Sequence, residues 1–99
     1  MSNDPVERLA RAWVAFDGPL RAGEGFDQQR FASLTQAVRA CGQAWVGADA
    51  IPRRAVNIMV DVFAATEANA ALNRGHEAER VMNAAYELQD LIGVSVALD

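Results

Sequence analysis

The chain has no lysine, one cysteine, one histidine and three prolines in 99 residues. Each shortage closes off a class of function. With Cys41 as the only cysteine, no intrachain disulfide can form, and a small apolar thiol suits a core in a reducing compartment. His76 as the only histidine leaves too few imidazoles for a multi-histidine metal centre. Nine arginines face thirteen acidic residues, for a net charge of −4. That balance disfavours nonspecific binding to nucleic acid or an anionic membrane, which needs clustered cations. No uninterrupted apolar run approaches the ~20 residues that cross a bilayer. Met1-Ser2-Asn3-Asp4-Pro5 lacks the basic-then-apolar order of a signal peptide, so a cytoplasmic protein is expected. No Gly-rich phosphate loop follows a strand, and no Ser-His-Asp set can be drawn. The expectation is therefore a noncatalytic protein with no cofactor and no metal. The all-arginine cation set, with much Ala, Val and Gly, fits a GC-rich bacterial genome.

What is present is helical patterning. The composition is 52% hydrophobic, which excludes a mainly disordered chain, and 99 residues make one domain over 1–99. Phe31, Leu34, Val38, Cys41 and Trp45 recur at alternating spacings of three and four, a narrow apolar seam on one long helix. That helix is predicted from Asp27 to about Val46 or Gly47, with Phe26 and Phe31 as a hydrophobic staple across its start. A preceding helix is predicted to start at Asp4, where the carboxylate caps it, Pro5 suits the first turn and Glu7 completes a capping box. Val6, Leu9, Ala10, Trp13 and Phe16 form its apolar face. Gly18-Pro19 is expected to end it, with Leu20 to Gly25 as a connection.

The third helix is predicted to begin between Asp49 and Pro52, capped by Asp49, and to run to about Asn73. At 100° per residue, Val56, Ile58, Met59, Val60, Val62 and Phe63 cover roughly 220° of its circumference. Arg54, Asn57 and Asp61 make the only polar strip. An ordinary surface helix carries an apolar stripe of only ~100°. This helix is therefore either central or covered by a second chain. Asn73-Arg74-Gly75 makes a tight stop with Gly75 as a left-handed cap. A fourth helix follows from about Glu77 to Ile92, with Val81, Ala85, Leu88 and Ile92 on its face. Gly93 is expected to interrupt it, and Val94 to Leu98, which alternates weakly, to form a frayed turn or an extended cover, with a short strand as the alternative.

The expected fold is all-α, about four helices in an antiparallel up-down bundle. The second, third and fourth helices form its body, with a shorter first helix across them. The expected partner is a second copy, bound through the third helix at Val56, Met59, Val60 and Phe63, with or without the fourth helix. Asp61 reads as part of a solvated strip with Asn57, the alternative being a polar interface contact to an arginine, and another protein is the alternative partner.

Few residues suggest chemistry. His76 and Glu79 lie three apart in a helix's first turn, but the carboxylate-histidine order is reversed from dimetal bundles and no second pair exists. Arg53-Arg54 and Arg8 with Arg11 read as solvated faces, without the interleaved aromatics of a single-strand platform. Trp45-Val46-Gly47 lies mid-chain, and Tyr86 and Asp90 make a Y-x-x-x-D pattern. With the chain's length, these residues resemble the WxG family of small secreted helical hairpins. The resemblance implies a dimeric two-arm hairpin that uses the two motifs for packing and export. The sequence departs from it where Gly18 to Gly25 splits the first arm and Gly75 the second. The leading expectation is a noncatalytic interaction or regulatory module. The alternatives are a WxG-like secreted protein, or a small-ligand-binding bundle or minor enzyme with a pocket near Asp61.

Overall fold

A computed structural model describes residues 4–98, which form four α-helices and no strand. They are α1 (Pro5–Arg21), α2 (Gln28–Ala44), α3 (Arg53–Ala70) and α4 (His76–Ser95). Two starts follow local capping rules. The Asp4 carboxylate accepts from the Val6 amide at 3.0 Å, and the Asp27 carboxylate from the Arg30 amide at 3.0 Å. The Phe26 and Phe31 rings lie 5.4 Å apart, as a staple across the α2 start requires.

Other boundaries differ from the sequence expectation. Gly18-Pro19 does not end α1, which continues to Arg21. Pro19 deprives the Ala15 carbonyl of a donor, but Ala15 is on the exposed side, where water can replace it. Leu20 beyond it is fully buried and holds the last turn down. The actual stop is a Schellman motif. Gly23 has φ +71°, its amide bonds the Leu20 carbonyl at 3.0 Å, and the Glu24 amide reaches back to Pro19 at 2.9 Å. Asp49 does not cap α3; Pro52 occupies the cap position with no side-chain bond, and its carbonyl accepts from Ala55 at 3.0 Å. α3 ends at Ala70 rather than Asn73. Gly75, with φ +57°, is the residue that opens α4 rather than one that closes α3. Gly93 does not interrupt α4. The Ser95 hydroxyl donates to the Leu91 carbonyl at 2.9 Å and approaches the Val38 carbonyl at 3.2 Å, tying the last turn to α2.

Nor is α1 a short accessory. It has 17 residues, as many as α2, and stands in a ring of four. α1 packs on α2 and α3, and α4 packs on the same two, while α2 and α3 do not adjoin. The hydrogen bonds fix which ends meet. The Cys41 thiol near the end of α2 lies 3.5 Å from the Pro5 carbonyl at the start of α1. Asn69 and Asp17, both near helix C-termini, bond at 2.7 Å. The Phe26 amide before α2 donates to Glu77 in the first turn of α4. The segment from 45 to 52 therefore crosses the end of the ring diagonally. Phe16, Leu9, Leu20, Leu34, Val38, Val62, Val81 and Leu88 fill the centre, all but sealed from solvent.

Candidate interaction surface

The wide apolar arc of α3 divides in two. Ala55, Met59, Val62, Thr66, Asn69 and Ala70 are buried against the chain's own helices. Met59, expected at an interface, is thus a core residue at 6% exposure. The other flank is open. Val56 is 42% exposed and Val60 72%. Together with Arg53, Arg54 and Asn57 they line a shallow groove. Phe63 is half-buried, its ring 5.5 Å from that of Tyr86 on α4, which is itself more than half exposed. Exposing several large apolar groups side by side costs hydration free energy that a covering surface would recover. Asp61 is solvent-exposed on the opposite flank from Val56, and its charge acts on Arg21 of α1. The structure therefore brings Val56, Val60 and Phe63 to one strip and separates Met59 and Asp61 from it.

A second apolar area lies between the C-terminal halves of α2 and α4, where Arg39, Gly42, Val46, Leu91 and Val94 line a groove. Val46 and Val94 are strongly exposed there. Gly42 lets the helices close up, since a Cβ on it would sit 3.0 Å from the Ser95 hydroxyl oxygen.

At the other end of the ring is a polar cluster that the sequence reading missed. The Asp17 carboxylate is buried and accepts from Asn69 Nδ2 and from Arg21 Nε. Beside this carboxylate the Arg21 guanidinium is held above its ordinary pKa, through hydrogen bonding first and charge second. Asn73 donates to the Asn69 carbonyl at 2.8 Å and to the Leu20 carbonyl at 3.3 Å, and accepts from the Gly25 amide at 2.9 Å. Glu77 holds the Phe26 amide and pairs with Arg80 at 3.5 Å, whose guanidinium lies 4.6 Å over the Phe26 ring. One signal was available. Continuing the 3.6-residue period of Met59 and Val62 lands on Thr66 and Asn69, polar residues on a buried stripe. The bonds of Asn69 to Asp17, Asn73 to Leu20 and Gly25, and Glu77 to Phe26 join helix ends or hold the connection before α2, so they position elements. Asn73 and Glu77 also line an open pocket with Glu24 and Arg74.

The remaining sequence candidates are apart. His76 Nδ1 is 3.7 Å from a Glu79 carboxylate oxygen, and both side chains face solvent. Cys41 is fully buried at the far end of the ring from His76. Burial pushes its thiol pKa up; the Asp4 charge adds to this and Arg8 opposes it. Raising the pKa lowers the thiolate fraction a nucleophile needs. Trp45-Val46-Gly47 forms the turn after α2, and Tyr86 and Asp90 lie within α4, so the described chain is four helices rather than two long arms. No family model matches the chain, and comparison with curated proteins and with solved structures finds no significant match. Among the described residues no helix is long and apolar enough to cross a membrane.

Proposed function

We propose that this chain is a noncatalytic helical interaction module of one domain, an up-down bundle whose consecutive helices run antiparallel, that self-associates in the cytoplasm through the outer face of α3. The observation that carries the proposal is the open strip of Val56 and Val60 beside the Phe63–Tyr86 ring pair. The strip lies on a regular helix, and a rigid apolar ridge of this kind suits helix-against-helix docking. Opposite ends meet in the consecutive pair α1 and α2, which supports alternation along the chain, whereas like ends meet where α1 packs on α3 and α2 on α4, so those neighbours run parallel.

Sedimentation at micromolar concentration tests the proposal. A species of twice 10.7 kDa is expected. Val60→Glu, which places a charge in the middle of the strip, should leave a folded monomer. A wild-type chain that sediments cleanly at 10.7 kDa over that range would refute the proposal.

A further inference from the structure

We infer that two copies pair through α3 in antiparallel register about a two-fold axis at Val60, with Arg53 of each copy facing Glu67 of the other. This rests on the self-association reading and adds its geometry.

Arg53, Val60 and Glu67 are spaced seven apart along α3, and all three are exposed. Seven residues make almost two whole turns, with a drift of only ~20°, so the three side chains stand nearly in line. Val56 and Ala64, both exposed, fill the intervals on either side of the line. Spacings of three and four around a heptad are the pattern by which one helix packs on another.

The charges select the direction. Val60 is equidistant from Arg53 and Glu67, roughly 10 Å from each along the axis. Antiparallel pairing centred on Val60 therefore sets arginine against glutamate at both ends. Parallel pairing would set arginine against arginine and glutamate against glutamate. The same antiparallel register opposes branched Val56 to small Ala64, twice, by symmetry. Among the described residues neither Arg53 nor Glu67 takes part in an ion pair within its own chain.

A second feature agrees. α3 has no acid in its first turn and no base in its last; Arg53 and Arg54 open it, and Glu67 lies near its end. These charges oppose the macrodipole of their own helix. An antiparallel partner supplies the opposite helix end to each. The arrangement is unfavourable within one copy and complementary between two, which is what charge selected for pairing would look like.

Charge reversal tests the register. Arg53→Glu and Glu67→Arg each convert two attractive contacts of the dimer into two repulsive ones. Each variant alone should dimerise about tenfold more weakly than wild type in analytical ultracentrifugation at low salt. A 1:1 mixture of the two should recover wild-type affinity, because every contact across the mixed pair is again attractive. Both reversals suit the α3 dipole, so circular dichroism should show helix content kept, which separates lost pairing from misfolding. A wild-type dimer indifferent to either reversal would overturn the register while leaving self-association standing. A mixture that fails to recover would overturn it too. So would a mixture tighter than wild type with both single variants unchanged, the signature of parallel pairing. A wild-type monomer would remove both the register and the reading beneath it.

Discussion

Thr66 offers the sharpest test of the packing. It is fully buried on α3, and its hydroxyl oxygen has no hydrogen-bond partner. Desolvating a hydroxyl without pairing it costs about 1–3 kcal/mol. Valine has nearly the same shape, is likewise branched at Cβ and has a similar helix propensity. Thr66→Val should therefore stabilise the chain, by about 1–2 kcal/mol once imperfect fit is allowed for. For a domain of this size that raises Tm by roughly 5–10 °C. Thr35 supplies the matched control. It is also buried, but its hydroxyl donates to the Ala32 carbonyl at 2.9 Å. Thr35→Val should be neutral or destabilising by up to about 1 kcal/mol. Urea unfolding followed by far-UV circular dichroism reads both, at one fixed protein concentration so that association does not shift the midpoint. A Thr66→Val midpoint equal to or below wild type, at unchanged m-value, would refute the reasoning. It would mean that the hydroxyl is paired in solution, for example by a buried water.

Three further outcomes are expected. Asn73→Ala removes bonds to Leu20, Asn69 and Gly25 and should cost about 2–4 kcal/mol in the same assay, with the loss mostly absent if solvent reaches those groups. Gly42→Val should cost about 1–3 kcal/mol, because the Cβ position lies 3.2 Å from the Ser95 Cα, a backbone atom that cannot swing aside; unchanged stability would show that α2 and α4 can part there. Cys41 sets a pH dependence. Its pKa is raised in the folded chain, so the unfolded chain loses the thiol proton first. Stability should therefore be flat below the free-thiol pKa of about 8.5 and fall as pH rises beyond it. Comparing urea midpoints at neutral and alkaline pH should show that fall reduced in Cys41→Ala; an equal fall in both would assign it to other groups.

The features legible in the sequence are those set by a few neighbouring residues. Asp4 and Asp27 cap their helices because an acceptor three residues or fewer from a free amide needs nothing else from the fold. Phe26 meets Phe31 for the same reason, and the spacing from Phe31 to Cys41 marks a buried face that the structure shows. The illegible features depend on chain far away. Pro19 and Gly93 are read as breakers by local preference, yet Leu20 is buried and Ser95 bonds Val38. Such contacts exceed the cost of one lost helical bond or one flexible residue. Asn69 and Asn73 pair with residues about fifty positions away, at Asp17 and Leu20. No local pattern announces such partners; only their place on a buried stripe hints at them.

The candidate surface was half legible for a related reason. Periodicity gives the width of an apolar arc but not the direction in which it points. α2 and α3 each have two helical neighbours, and these are the same two, α1 and α4. Their cover is therefore comparable, and the contrast between them lies in the arc each presents. The narrow seam of α2 fits under that cover. The arc of α3, roughly twice as wide as a surface helix normally carries, overruns it on the flank that bears Phe63 and leaves Val56 and Val60 outside. Met59 falls under the cover, which no count of apolar residues could have told apart from Val60, one position along. Were the surplus merely loose core, replacing Val56 and Val60 with glutamine would destabilise the monomer. If it serves a partner, Val56→Gln with Val60→Gln should leave the monomer's stability within about 0.5 kcal/mol of wild type, as for ordinary surface positions, and abolish association. A double variant that unfolds more readily, yet pairs as before, would place those valines in the wrong role.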